Sequence, residues 1–366
     1  MDEIEDGSVD LVVTSPPYPM IEMWDQQFFQ MNPEIRAALD GGEGISAYEL
    51  MHQELDKTWN EIYRVLKEGA IVCINIGDAT RKIGDSFQLF SNHSRILNHF
   101  IQLKCNILPE SLWRKESNKP NKYMGSGMLP PNAYVTLEHE YILMLRKGKT
   151  REFKEENKKI RNESAYFWEE RNTWFSDIWT NLKGINQKLN TNSTQRERSA
   201  AYPFELAYRL INMFSIKGDM VLDPFLGTGT TMLAAMASNR NSTGFEIDRG
   251  FKEVIQTRVQ NILDFLNNYI VNRVTQHLEF IGEMDKNNKP LKYKSQLYDF
   301  KVVTNQETKI CFNFLKEIKK TNEMYEVLYY DEEMSQNIIA NLINNCKIEF
   351  ISDEKKSKVS FQQKLG

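Results

Sequence analysis

Apolar, mostly β-branched residues run without interruption from Val9 to Thr14 and stop at Ser15-Pro16-Pro17-Tyr18-Pro19, whose prolines cannot continue a hydrogen-bonded ladder. That pattern predicts a buried strand feeding a rigid loop. Glycines at 41, 42 and 44 predict a mobile connection between Trp24 and Ser46. Leu50, Leu55, Trp59, Ile62, Tyr63 and Leu66 then recur at helical spacing, predicting a helix that runs to Gly69. A short apolar run over 70–76, closed by Gly77-Asp78, predicts a second strand, and 94–103 a second helix. Strand, helix and strand therefore alternate as in a parallel α/β sheet.

From 112 to 131 the chain is rich in Asn, Lys, Gly and Pro with little periodicity, which predicts a long functional loop before a strand over 140–145. Residues 151–200 are polar but carry Tyr166, Phe167, Trp168, Trp174, Phe175 and Trp179, the mark of a small ordered insert. A helix is predicted over 204–214, with Pro203 near its start. Met220 to Leu222 predicts a strand entering DPFLGTGTT, then a helix over 232–238 and a strand ending at Glu246: a βαβ unit with a glycine-rich first turn. Beyond about residue 275 lysine-rich and aromatic stretches alternate without a recognisable motif.

The chain's 366 residues, 41% hydrophobic and 26% charged, suffice for one large globular domain with insertions. Its four cysteines are scattered without a CxxC pair, and its five histidines show no ligand spacing, so no metal site is expected and reduced thiols suit a cytosol. The first ten residues are acidic where a secretory signal would be basic and then apolar, and no apolar run approaches the roughly 18 residues of a membrane span. A cytoplasmic protein without membrane contact is expected. The net charge of −4 disfavours nonspecific nucleic-acid binding, yet the stretch from Trp113 to Arg161 is strongly basic, beginning with Arg114, Lys115, Lys119 and Lys122. Gathered on one face it would track a phosphate backbone; dispersed, it is a solvated surface.

Two motifs carry chemistry. In the turn after Met220 to Leu222, Gly227 and Gly229 let a ligand approach the backbone closely, and the following helix N-terminus favours negative charge. Glu246, about 20 residues on, stands where a carboxylate accepts both ribose hydroxyls of a nucleoside. The turn lacks the third glycine of a dinucleotide fingerprint and the Gly-Lys-Ser/Thr of a P-loop. The second motif is Thr14-Ser15-Pro16-Pro17-Tyr18 at a strand's C-terminal end, the edge where open α/β sheets bind ligands. The Ser15 hydroxyl and Pro16 carbonyl suit an exocyclic amine's hydrogens, and the Tyr18 ring suits an extruded base. Each motif alone is also compatible with a plain structural turn.

Together the motifs resemble the amino-group DNA methyltransferases, whose hallmarks are a (D/N/S)PPY loop and an FxGxG turn. DLVVTSPPYP, NIGD at 75–78, WRK at 113–115, EHEYILMLRK at 138–147, YPFELAYRLI at 202–211 and residues 218–248 look like the family's blocks, covering 8–255. The loop precedes the cofactor turn, the order of the circularly permuted β group. The resemblance implies a Rossmann-like α/β methyltransferase sheet with helices on both faces and a target-recognition insert. It divides the chain into a catalytic half over 1–148, the insert over 149–200, a cofactor-binding half over 201–275 and an accessory region over 276–366. It implies S-adenosylmethionine as cofactor, bound by Asp223, Pro224, Phe225, Gly227, Gly229, Thr230 and Glu246. Ser15, Pro16, Pro17 and Tyr18 would meet the target base, and Arg114, Lys115, Lys119 and Lys122 the DNA.

Serine at the first loop position is common among N4-cytosine members and aspartate among N6-adenine members, so Ser15 favours cytosine, with adenine the alternative. SPPYPMIEMWD and KYMGSGMLPPNAYVTLEHEYI further resemble a subset that modifies CTAG. The implied partners are double-stranded DNA and a cognate restriction endonuclease that forms no stable complex, the enzyme itself being a monomer or homodimer. Family members usually carry a further strand and helix before the catalytic strand, with a Gly-Asp pair against the adenine. Met1 falls too close for these, so either the chain starts inside a longer product or another segment supplies that wall. Arg198 stands near a position where the family often has histidine. Rival expectations are a dinucleotide oxidoreductase and a noncatalytic DNA-binding subunit. A C5-cytosine enzyme is excluded, for it needs a nucleophilic cysteine, typically after proline, and no Pro-Cys pair occurs.

Overall fold

The apolar run Val9–Thr14 is a strand, β1, with every residue buried. The computed structural model describes residues 1–115, 124–182, 202–287, 289 and 291–352. In it β1 lies inside an eight-stranded sheet with β2 (Leu66–Ile76), β3 (Cys105–Ile107), β4 (Ser111–Arg114), β5 (His139–Lys147), β6 (Ile178–Trp179), β7 (Met220–Asp223) and β8 (Asn241–Gly244). The order is β6-β4-β5-β2-β1-β7-β8, with β3 also on β5. β2, β1, β7 and β8 pair in parallel, while β5 runs antiparallel to β2 and β4. This is the expected Rossmann-like α/β sheet in permuted chain order. β1 and β7 are neighbours although their last residues are 209 positions apart.

Side chains alternate across the strands and so build two cores. Val12, Val72, Ile74, Leu143, Leu145 and Leu222 face Met51, Leu55, Trp59 and Ile62 of α3 (Gly44–Val65) and Ile96 and Phe100 of α4 (Asn92–Gln102). Leu11, Val13, Cys73, Ile142 and Val221 are buried on the other face. There α7 (Phe204–Phe214) packs on β1, and α8 (Thr230–Ala237) on β7 and β8.

Several expectations are corrected. The stretch from Trp24 to Ser46 is mostly helical: α1 spans Asp25–Met31 and α2 Pro33–Asp40. The glycines only punctuate it, because Asn32 accepts from the Glu34 N–H at 3.0 Å and Pro33 opens the first turn. α3 ends at Val65 rather than Gly69, and β2 starts at Leu66. Val9 pairs with Leu66 and Leu11 with Ile71, so β2 bulges between them, with Gly69 at φ +82°. A hairpin, Ala79–Ile83 with Ser86–Phe90, follows β2 where no element was expected, and Arg81 forks onto Asp25 at 2.8 and 2.7 Å. β4 and a short hairpin, Met124–Gly125 with Ala133–Tyr134, overlap the two ends of the predicted 112–131 loop. β8 ends at Gly244, so Glu246 stands two residues beyond it.

The chain forms two compact units. The first comprises Met1–Ser164 and Arg171–Gln260, and holds α5 (Glu155–Glu163) and α9 (Phe251–Gln260) besides the sheet. α6 (Trp168–Trp174) starts in the second unit and ends in the first. The second unit comprises Ala165–Glu170 and the chain from Asn261 onward, and contains α10 (Leu263–Lys286), a hairpin of Leu315–Thr321 with Met324–Tyr329, and α11 (Glu332–Ser352). Within it Phe167 stacks on the buried His277 ring at 3.7 Å, whose nitrogens face Glu169 at 2.7 Å and the Lys301 carbonyl at 2.9 Å. Among the described residues no helix is long and apolar enough to cross a membrane.

Trp59 sits at the centre of the first core, fully buried against Phe100 and Phe225, and its indole N–H finds no partner among the described residues. Trp59→Ala is expected to cost about 3–5 kcal/mol in urea unfolding. Trp59→Phe, which keeps the ring contacts and removes the orphaned donor, is expected to cost less than half as much.

Candidate active site

The two motifs meet because β1 and β7 end side by side at the same edge of the sheet. Their last residues are joined: Thr14 Oγ1 donates to Asp223 Oδ1 at 2.6 Å. The same oxygen accepts from the Phe225 N–H at 3.1 Å, while Oδ2 lies 2.7 Å from Thr231 Oγ1 and accepts from the Tyr202 hydroxyl at 3.2 Å. Burial raises the pKa of the Asp223 carboxyl, and the hydrogen bonds from Thr14, the Phe225 N–H and the linked Thr231 and Tyr202 hydroxyls oppose the rise. Its carboxylate therefore holds the turn from inside.

Beyond Asp223 the turn opens. Pro224, Thr228, Gly229 and Thr230 are buried, whereas Phe225 and Gly227 are half-buried. Gly229 caps α8 at φ +79°, a left-handed conformation that glycine adopts without penalty. Gly227 has φ +53°, and a Cβ there would meet nothing nearer than the Phe225 carbonyl at 3.9 Å, so free space lies over it. Glu246 reaches back to this turn: Oε2 accepts from the Gly227 N–H and Oε1 from the Asp248 N–H, both at 2.8 Å. The adjoining Ile247 is 71% exposed, a strongly exposed apolar side chain beside a carboxylate. Arg258 of α9 donates to the Thr228 carbonyl and hydroxyl, both at 2.6 Å, bringing a guanidinium to the same turn. Ile247 and Arg258 were not singled out from sequence. An apolar residue after the strand-end acid marks the first, but nothing in the sequence marks the second.

On the β1 side Pro16, Pro17 and Pro19 are buried, and Ser15 and Tyr18 half-buried. The loop is tied down by Asn92 of α4, whose amide donates to the carbonyls of Pro19 and Gly77 at 3.0 Å each and whose oxygen faces His52 Nε2 at 3.0 Å. Burial lowers the His52 pKa to about 3, so the ring is neutral and donates to Asn92. Met20, closing the loop, takes φ +66°, which a residue with a side chain adopts only where packing enforces it.

The block 75–78, at the end of β2 and just beyond it, explains itself against this loop. Gly77 lets the Tyr18 ring lie on the backbone, since a Cβ there would stand 3.0 Å from the ring. Asp78 accepts from the His93 N–H at 3.1 Å, at the start of α4. Asn75 donates to the Tyr18 hydroxyl at 2.8 Å and to Glu140 Oε2 at 2.7 Å. Tyr18 in turn donates to Glu140 at 3.0 Å and lies 3.1 Å from Ser15 Oγ. Burial, and next the Glu140 charge, push the Tyr18 pKa well above that of a free phenol. The Asn75 carbonyl oxygen is buried without a partner among the described residues.

Of the basic residues, Lys115 donates to Glu140 Oε1 at 2.7 Å, and Arg114, more exposed, pairs with Glu138 at 3.2 Å. Further along the stretch, Lys147 donates to the carbonyls of Tyr63 and Leu66, and Arg151 forks onto Asp219. Much of the basic stretch thus has internal partners. Lys119, Lys122 and Arg198 lie outside the described residues.

Comparison with known proteins agrees with this geometry. The profile of a family described as DNA methylase, covering N6 and N4 enzymes, matches residues 9–257. The Type II methyltransferase M.MthZI of Methanothermobacter thermautotrophicus is 55% identical over 334 residues, 90% of this chain and 92% of the relative. The Type II methyltransferase M.MjaI of Methanocaldococcus jannaschii is 53% identical, over 71% of this chain and 88% of its own. Among solved structures, the putative DNA modification methylase TTHA0409 of Thermus thermophilus, complexed with S-adenosyl-L-methionine, superposes with a TM-score of 0.53 at 31% identity, covering 70% of this chain and 87% of that one. With a family profile spanning both motifs and relatives sharing more than half their residues along most of its length, the chain belongs to the N6/N4 DNA methylase family.

Proposed function

We propose that this protein transfers a methyl group from S-adenosylmethionine to N4 of cytosine in duplex DNA, as the modification enzyme of a Type II restriction-modification system. The observation that carries the reading is the meeting of Ser15-Pro16-Pro17-Tyr18 and the Gly227 turn at the ends of two adjacent strands, joined through Thr14 and Asp223. The residues at the turn fit the cofactor. Glu246 suits ribose hydroxyls, the space over Gly227 admits a ligand against the backbone, and Phe225 and Ile247 offer apolar surface to an adenine. Bound there, S-adenosylmethionine supplies a methyl group on an electrophilic sulfonium.

On the other side the target base is flipped from the duplex and stacks on Tyr18. Ser15 Oγ and the Pro16 carbonyl accept hydrogens from its amine, which turns the nitrogen lone pair toward the methyl. The nitrogen–carbon bond forms as the carbon–sulfur bond breaks, the sulfonium leaves as a neutral thioether, and the amine's surplus proton passes to solvent. No covalent enzyme intermediate is needed, and the first unit offers no thiolate for one: burial raises the thiol pKa of Cys73, and that of Cys105 to about 11. Serine in place of aspartate at the head of the loop supports cytosine, and the SPPYPMIEMWD pattern supports CTAG as target. A cognate endonuclease acting on the same site without stable association, cytoplasmic location and a monomeric or homodimeric enzyme complete the proposal.

Incubation with S-adenosylmethionine and unmodified DNA, followed by mass spectrometry of nucleosides, is expected to yield N4-methylcytosine. N6-Methyladenine would keep the enzyme and overturn the base, and neither product would favour a binding subunit. Fluorescence titration is expected to show saturable binding of S-adenosylmethionine and none of NADH; the reverse would favour the oxidoreductase.

Ser15→Ala and Tyr18→Ala are expected to lower kcat about 10²-fold while leaving cofactor affinity nearly unchanged, which steady-state kinetics and calorimetry separate. Glu246→Ala and Gly227→Val are expected to weaken cofactor binding about 10- to 100-fold, by calorimetry, through loss of two charge-assisted hydrogen bonds and of the space over the turn. Unchanged affinity in both would move the cofactor elsewhere.

A further inference from the structure

A serine hydroxyl both donates and accepts, so its usefulness toward an amine depends on where its hydrogen points. The surroundings of Ser15 decide this. Lys115 Nζ, a donor only, holds Glu140 Oε1 at 2.7 Å. The Tyr18 hydroxyl and the Asn75 amide converge on Oε2, at 3.0 and 2.7 Å. Glu140 is buried, 9% exposed, and every contact it makes here is with a donor. Asn75 must present its nitrogen, because its oxygen at that distance from a carboxylate would be repelled; the amide's two hydrogens go to Glu140 and to the Tyr18 oxygen at 2.8 Å. Tyr18 has one hydrogen, directed to Glu140, and two lone pairs. One lone pair takes the Asn75 hydrogen, so the other faces Ser15 Oγ at 3.1 Å as an acceptor. The Ser15 hydrogen therefore points at Tyr18, and both Ser15 lone pairs are left for a substrate.

We propose that Glu140 is a positioning residue that sets the direction of the hydrogen bonds through Tyr18, so that Ser15 meets the substrate amine purely as an acceptor. This rests on the methyltransferase reading above. Glu140 touches neither base nor methyl; it acts through two side chains.

Glu140→Gln tests it at nearly constant volume. Asn75→Leu is made alongside it, because Asn75 would otherwise turn its oxygen to the Tyr18 hydrogen; with that acceptor gone, Lys115 keeps the new amide's oxygen, its nitrogen faces Tyr18, and the Tyr18 hydrogen turns to Ser15 and drives the Ser15 hydrogen at the amine. The expected result is a fall in kcat of at least about tenfold relative to Asn75→Leu alone, with the cofactor KM within about twofold of that variant and its thermal melting curve unchanged. Tyr18→Phe, which disturbs no buried charge, frees the Ser15 hydrogen and is expected to lower kcat comparably; adding Glu140→Gln to it should then change nothing. Near-wild-type kcat in Tyr18→Phe, a kcat in Asn75→Leu/Glu140→Gln equal to that of Asn75→Leu, or losses that multiply when Glu140→Gln is added to Tyr18→Phe would overturn the proposal, since a merely structural glutamate is replaced by glutamine with little effect.

A readout without turnover keeps the contact separate from the reaction. In protein labelled at tyrosine 13Cζ, the Tyr18 signal, identified by its loss in Tyr18→Phe, is expected to move in Glu140→Gln while the remaining tyrosine signals stay in place. An unmoved Tyr18 signal would overturn the assignment even if kcat fell. Wild-type protein that transfers no methyl group to DNA would instead overturn the proposed function, and the Tyr18 signal alone would then decide whether Glu140 directs that hydroxyl.

Discussion

The buried carboxylate of Asp223 is the joint on which the first unit depends. It sits where β7 ends, and it gathers the last residue of β1, a threonine of α8, a tyrosine ahead of α7 and the backbone of the glycine-rich turn. Burying a carboxylate is tolerable only when its lone pairs are filled, and the Thr14 hydroxyl, the Phe225 N–H and the linked hydroxyls of Tyr202 and Thr231 fill them. The strands β1 and β7 cannot slide by even one residue without emptying some of those bonds. Register between the two motif-bearing strands is thus set by a polar interaction laid over apolar pairing that by itself would permit slippage.

That joint also makes the permuted chain order workable. The loop at Ser15 and the turn at Gly227 come from opposite ends of the first unit's sequence, yet a sheet edge cares only for spatial order. Each strand-end loop is then braced from a different direction. Asn92 of α4 holds the proline loop, Glu246 and Arg258 hold the glycine turn, and Gly77 admits the tyrosine ring. Rigidity on both sides suits a reaction whose acceleration comes from alignment rather than from covalent chemistry.

How much of this was legible in sequence follows from the range of the interactions. Val9–Thr14, Met220–Asp223 and the two turns were readable because their signals, apolar runs stopped by proline or glycine, are contained within a dozen residues. The two helices between Trp24 and Ser46 were missed because glycines near their ends outweighed the capping Asn32. The hairpin after β2 was missed because Arg81 and Asp25, which anchor it, are 56 positions apart. Glu140 lay inside a recognised block, but its link to Tyr18 spans 122 positions and leaves no local trace. Charge alone left a choice open: the lysines and arginines after Trp113 suit a phosphate track or a solvated surface, and the internal partners of Lys115, Lys147 and Arg151, a carboxylate, carbonyls and Asp219, lie far from them in sequence.

The choice of serine at the head of the loop has a physical corollary. A carboxylate in that position accepts from an amine whatever surrounds it, because it has no hydrogen to misdirect. A hydroxyl has one, and the fold must commit other groups to aim it. Here the aiming falls to a tyrosine saturated by one acceptor and two donors, an asparagine whose carbonyl is left unpaired, and a half-exposed ion pair between β5 and the residue after β4. The unpaired Asn75 oxygen is the informative atom of that arrangement. Turning the amide over would satisfy the oxygen with the Tyr18 hydrogen but set it against the Glu140 carboxylate on its other side, so the network keeps an orphaned acceptor, at a cost of about 1–3 kcal/mol, to preserve one direction of hydrogen bonding. A site that carries such a cost beside a half-buried serine is organised around what that serine faces.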